Sequence, residues 1–206
     1  MTLTSNTLKH GIEKIAARIG PIGDELNDLD GRLGDGDLGV TLVNGFGNLS
    51  GIKDDLPQDV GMALFAMAKS VTAVSGSSFG TLLATALMAA GKMAKGTESQ
   101  DWGQTAALLQ AAQDAMIARG GANLGDKTML DVMDAIITVV QGMQASEEML
   151  QAAKAAAIQT LETFRNKPNK IGRARVYAEK SIGMDDPGMV AILRLLECLD
   201  DGVASA

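Results

Sequence analysis

Apolar residues recur at helical spacing along nearly the whole chain. Leu8, Ile12, Ile15 and Ile19 mark one face behind the polar run Thr4-Ser5-Asn6, which supplies a helix cap, and Pro21 is expected to end this helix or begin the next. A short segment from Ile22 to Leu29 leads into LDGRLGDGDLG, with four glycines in eleven residues and no period, which reads as a loop. Helical spacing resumes from Val40 to Leu49 and from Asp59 to Val74, where Val60, Leu64, Met67 and Val71 share a face. Ser75-Gly76-Ser77-Ser78 interrupts it. Phe79 to Lys95 then follows as an almost wholly apolar helix, a pattern that predicts burial on most sides. Asp101 with Gln104 has the form of a capping box for a helix reaching Ala118, and Thr128 with Asp131 starts one that runs to about Gly142. Ser146 to Phe164 carries Leu150, Ala153, Ala157, Leu161 and Phe164 on one stripe and stops around Pro168; Asp186-Pro187 launches a last helix through Leu199. Neither strand-like alternation nor an internal repeat is present. The pattern predicts an all-α fold of eight or nine helices joined by short loops, an antiparallel bundle or barrel.

Composition narrows this further. Aromatic residues make up only 3%, so the core must be built from Ala, Leu, Ile, Val and the twelve methionines, which favours helices over sheets. A chain of 206 residues can fill one core, and a single domain over residues 1–206 is expected. The net charge of −7 opposes a nucleic-acid partner, because such binding rests on Lys and Arg neutralising phosphates. Cys198 has no second cysteine to pair with, and no segment near the start has the form of a signal peptide, so a reducing cytoplasm is the expected location. The apolar run from Thr81 to Ala90 is broken by Gly91 and Lys92 well short of a membrane span, so no membrane partner is expected.

Asp30, Asp35 and Asp37 fall within eight residues, in a stretch otherwise made of Gly, Leu and one Arg. Carboxylates so placed suit a hard cation such as Mg²⁺, with metal ions bridging them to a polyphosphate; they equally suit a solvated turn whose Asp side chains cap neighbouring helices. An EF-hand is excluded, because counting from Asp35 puts Phe46 where a bidentate Glu is required. Gly34-x-Gly36-x-x-Gly39 matches a dinucleotide fingerprint by letter, yet no strand precedes it. Ser75-Gly76-Ser77-Ser78 stands before a helix, where free backbone N–H groups can hold a phosphate or Ser78 can simply cap. Gly120 to Thr128 is a near miss to a Walker A sequence, with Asp126 displacing the Lys; its glycines either let backbone approach a flat base beside Met129 or merely end a helix. Lys167, Lys170, Arg173, Arg175 and Lys180 concentrate cations in an acidic chain, as a loop closing on a charged ligand or as a solvated turn. His10 lies off the apolar stripe, and Cys198 sits on an apolar helix; neither is a candidate catalyst.

Taken together, Leu29-Asp30, Gly34-Asp35-Gly36-Asp37-x-Gly39, Asn44-Gly45-Phe46, Ser75-Gly76 with Phe79-Gly80-Thr81, Gly125-Asp126-Lys127-Thr128-Met129-x-Asp131, Gly172-Arg173-Ala174 and Ser181-Ile182-Gly183 with Asp186-Pro187-Gly188 resemble the nucleotide-binding L domain of dihydroxyacetone kinases. The resemblance spans nearly the whole chain. It implies an eight-helix antiparallel barrel with the nucleotide site in the loops at one end, and two Mg²⁺ ions held by Asp30, Asp35 and Asp37. It implies ADP or ATP contacts from Leu38, Gly39, Val40 and Thr41, from Val74, Ser75 and Gly76, and from Thr128, base-side contacts from Gly120 and Met129, and closure by Arg173 with Asp186, Pro187 and Gly188. This chain has Leu38 where the family commonly has His, and Thr41 where Asn is frequent; several contacts are therefore expected through backbone. The implied activity is phosphoryl transfer to a short ketose held on a separate K subunit, with ATP exchanged or a resident ADP recharged by a phosphocarrier of a phosphotransferase system. Two alternatives accompany it: an ADP-loaded module that docks on a transcription regulator, and the nucleotide domain of a fatty-acid-kinase-like system.

Overall fold

A computed structural model describes residues 2–201. Eight α-helices run α1 (Ser5–Leu33), α2 (Leu38–Ile52), α3 (Val60–Val74), α4 (Ser78–Ala94), α5 (Thr105–Gly120), α6 (Met129–Val140), α7 (Ser146–Arg165) and α8 (Pro187–Leu199). Each packs on its neighbours in sequence, and α8 closes back on α1, so the helices form an antiparallel ring. Leu26, Leu42, Val60, Ala63, Val132 and Met189 are buried in its core. A satellite cluster of Ala112, Met116, Ala122, Met129, Leu130 and Met133 lies where α5 meets α6. Two strands of two residues, Leu3–Thr4 and Ser99–Gln100, pair antiparallel beside the start of α1.

Local chemistry sets several helix starts. Thr4 caps α1 in a reciprocal box with Thr7, Asp59 caps α3 through Met62 N–H, and Asp186 caps α8 with Pro187 just inside. At α6, Thr128 accepts from Leu130 N–H at 3.2 Å while the Asp131 carboxylate accepts from Thr128 N–H at 2.8 Å and Gly125 N–H at 2.5 Å. Asp131 is buried, so Asp131→Ala leaves two amides without their acceptor; it should lower stability by about 1–3 kcal/mol, read as a shift of the urea midpoint at constant slope.

The structure departs from the sequence reading in four places. Asp101 and Gln104 form no capping box for α5: Asp101 caps only the 3-10 turn Trp102–Gln104, and α5 begins after it without a side-chain cap. Pro21 does not end a helix: α1 runs through it for 29 residues. Pro21 and Ala17 are both on the exposed face, so water can serve the carbonyl that proline leaves unpaired, while Ile12, Ile15, Ile19 and Leu26 stay packed on either side. The glycine-rich stretch is mostly helix, because buried Leu33 extends α1 and Leu38 opens α2, leaving only residues 34–37 between them. In α4 only Gly80, Ala84, Gly91 and Ala94 are buried, and Met88 and Met93 are exposed. A helix in a single ring is covered by its two flanking helices and the interior but keeps an outer face in water, whatever its apolar content.

Candidate functional site

An antiparallel ring brings alternate helix starts to the same end. Leu38, Ser78, Met129 and Pro187, the first residues of α2, α4, α6 and α8, all line one open cavity of about 570 Å³. Four helix N-termini thus turn their positive dipole ends toward it. The remaining wall comes from the end of α1, the last turn of α5, residues 171–174, and the residues flanking these helix starts. The volume falls within the range of small-molecule sites.

Asp30, Asp35 and Asp37 stand on one side of the cavity, each offering a carboxylate oxygen within 4.8 Å of the others. Their roles differ. Asp30, in the last turn of α1, accepts from Asp37 N–H at 3.0 Å and Leu38 N–H at 3.4 Å, tying α1 to the start of α2. Gly34 is required beside it, since a Cβ there would stand 2.3 Å from Asp30 Oδ1. Asp37 occupies the N-cap position of α2 without a side-chain capping bond. Burial, then the charges of Asp35 and Asp30, push its carboxyl above the ordinary carboxylate value, so nearby positive charge is favoured. Asp35 pairs with Arg173, which reaches in from the loop before α8. One carboxylate serves a helix start, and the three together lie close enough to be candidate ligands of a divalent ion. Oxygens around one Mg²⁺ stand at most about 4.2 Å apart, a spread that small side-chain rotations here supply.

The opposite side is apolar. Leu82, Met116, Ala122, Met129, Leu130, Ile171 and Pro187 form a slot beside Gly120, whose Cβ position is 3.2 Å from Leu82. Asp186, at its base, accepts from Met189 N–H at 3.0 Å and Asn169 Nδ2 at 2.7 Å; burial pushes its carboxyl up to about 6.

Of the residues singled out from the sequence, Asp30, Asp35, Asp37, Leu38, Gly76, Gly120, Thr128, Met129, Arg173, Asp186, Pro187 and Gly188 come together on the cavity wall. Gly39, Val40, Thr41, Val74 and Ser75 do not line it. Gly39 is the crossing point of α1 and α2, Val40 and Val74 are exposed, and Thr41 donates to Ser77 Oγ at 2.9 Å, with Ser75 Oγ 3.5 Å from the same atom. Thr41 and Ser75 thus hold Ser77, which is on the wall and is the true cap of α4 in place of Ser78. Of the two departures from the family pattern, Thr41 is buried off the wall, whereas Leu38, although largely buried, lines it. Of the five cations between 167 and 180, only Arg173 reaches the cavity; Lys167 lies over the Phe164 ring at 3.8 Å. Neither exposed His10 nor buried Cys198 is on the wall. Thr81, Leu82, Met116 and Arg119 are wall residues that periodicity cannot separate from ordinary helix positions, and Ile171 is one in a loop that carries no pattern. No described helix is long and apolar enough to cross a membrane.

The family model for the DAK2 domain matches residues 32–201. D-erythrulose kinase of Mycolicibacterium smegmatis is 35% identical over an alignment of 178 residues that covers 82% of this chain and 30% of that one. The ADP-binding subunit DhaL of the PTS-dependent dihydroxyacetone kinase of Lactococcus lactis is 31% identical over 98% of this chain and 100% of its own. Among solved structures, the dihydroxyacetone kinase of C. freundii in complex with AMP-PNP and Mg²⁺ superposes with a TM-score of 0.73 at 26% identity, covering 97% of this chain and 34% of that one. The chain thus spans about a third of these two longer kinases and the full length of the separate subunit.

Proposed function

This chain belongs to the DAK2 domain family, and from that premise we propose that it is the nucleotide-binding phosphotransferase subunit of a short-ketose kinase, one domain that holds Mg²⁺ with ADP or ATP and serves a ketose bound on a K subunit. The observation that carries this reading is a single cavity with three carboxylates on one side, an apolar slot on the other, and four helix N-termini around it. In an acidic chain, that combination suits an anion that arrives with its own divalent ions. Asp30, Asp35 and Asp37 would hold two Mg²⁺, which when bound neutralise the β- and γ-phosphate oxygens. The start of α4 offers N–H groups to those oxygens, with Ser77 and Gly76 beside it. The slot between Leu82, Met129 and Pro187 takes the flat base. Arg173 faces the same carboxylate edge, where a guanidinium can meet a phosphoryl oxygen. Positioning and electrostatics then supply the rate enhancement, and no protein nucleophile is called for.

Calorimetric titration with ADP tests the reading. Binding is expected with Mg²⁺ present and should be lost in excess EDTA; equal affinity in both buffers would mean that the carboxylates do not serve the nucleotide. With a K subunit, dihydroxyacetone or a tetrulose, and ATP alone, phosphorylated ketose points to nucleotide exchange. A need for a phosphocarrier points to a resident ADP.

A further inference from the structure

Residues 166–183 cross the cavity mouth between α7 and α8, and they carry Ile171, Gly172, Arg173 and Ala174 onto its wall. This segment has almost no core of its own: within 166–183 only Asn169 and Ser181 are buried, while Arg175, Val176 and Tyr177 are exposed. Half-buried Ile171 packs on the satellite cluster, but that one contact does not by itself hold the shape of the segment. A polar neck does. Lys127 is 1% exposed, and its ammonium donates all three protons to backbone carbonyls at the two ends of the segment: Arg165 at 3.1 Å, Lys167 at 2.7 Å and Ser181 at 2.8 Å. The neck is laced further. Gly183 N–H donates to Arg165 O at 2.8 Å, Asn169 N–H to Ser181 Oγ at 2.9 Å, and Asn169 Nδ2 to both Lys127 O and Asp186 Oδ2.

Lys127 is also the one non-glycine residue with positive φ among the described residues, at 63°. An L residue adopts that conformation at a cost, so the contacts of its side chain must over-determine it. Asp185 and Asp186 lie near enough to offset part of the cost of burying this charge, yet all three hydrogen bonds of the ammonium go to backbone carbonyls, which it gathers at one point.

We propose that Lys127 is a positioning residue for the nucleotide site: it clasps both ends of the 166–183 segment and so fixes Arg173 beside Asp35 and the phosphate-binding edge. Lys127 acts through Arg173 and touches no ligand itself. The inference rests on the nucleotide reading of the cavity, which the unmodified protein tests first.

The experiment compares Lys127→Met, Arg173→Ala and the double variant in Mg²⁺–ADP affinity, with amide hydrogen exchange measured on the same proteins. Lys127→Met is expected to weaken binding about tenfold or more, and to speed exchange in 168–182 about tenfold, while the amides of α1 to α3 keep their protection. Adding Arg173→Ala should then cost less than about twofold, because the arginine is already misplaced. Unchanged exchange in 168–182, or losses that simply multiply in the double variant, would overturn the clasp. If Lys127→Met fails to fold, Ser181→Ala, which removes the acceptor of Asn169 N–H, must show the same pattern at smaller size. Absence of Mg²⁺–ADP binding in the unmodified protein sinks the cavity reading separately, and segment exchange alone then decides whether Lys127 closes the neck.

Discussion

Replacing Asp35 with alanine should remove Mg²⁺-dependent nucleotide binding, by roughly 100-fold or more in affinity, and leave the melting temperature nearly unchanged. The three carboxylates are not equivalent in what else they do. Asp30 accepts the backbone N–H groups that open α2 and sits against Gly34, so its loss would disturb the turn as well as the ion site. Asp37 stands at the α2 N-cap position. Asp35 caps no helix, is the most exposed of the three, and meets Arg173 at the cavity mouth. Such a half-solvated pair contributes little to folding, so its carboxylate is the one that separates ligand binding from stability. Titration calorimetry and a thermal melt on the same sample check both halves. Retained affinity would show that nucleotide binds here without that oxygen.

Gly39→Ala should be the most damaging small substitution, lowering stability by about 3–5 kcal/mol out of a total of order 10, or preventing folding outright. A Cβ on Gly39 would lie 1.8 Å from the Gly23 carbonyl oxygen and 2.6 Å from its carbon. Both are backbone atoms of α1, so no rotamer change relieves the contact and the two helices must move apart. That separation would also shift Asp37 and Leu38, directly before the crossing, away from Asp30. Gly47→Ala is the matched control in the same helix: a Cβ there meets nothing within 4 Å, and helix propensity alone should raise stability by about 0.5–1 kcal/mol. Urea denaturation of the pair gives opposite signs if close helix approach, rather than glycine flexibility, is what Gly39 provides.

Much of this was legible in the sequence where the determining physics is local. Thr128 with Asp131, and Asp186 with Pro187, specify helix starts within a few residues, and those starts are where the sequence placed them. The three aspartates stood out because three carboxylates fall within eight residues of low side-chain bulk. What escaped was decided at a distance. Whether Pro21 breaks α1 depends on packing by α2 and α8 on both sides of it, and whether α4 is covered depends on the ring having one layer. Leu82 and Met116 look like core residues because they are apolar at helical spacing; only the convergence of helix ends makes them walls of a slot. Lys127 reads as the lysine of a failed phosphate loop, and its three carbonyl partners lie 38 to 54 residues away. No local pattern announces such a group.

The antiparallel ring has a second end. Residues 53–59, 95–104 and 141–145 connect helices there, and none of them lines the cavity. The span of α6, twelve residues at about 1.5 Å each, separates the 141–145 turn from the cavity end by about 18 Å. Length changes, reporter groups or new chain ends are best tolerated at that distant edge, where the chain can be re-cut without altering the chemistry opposite.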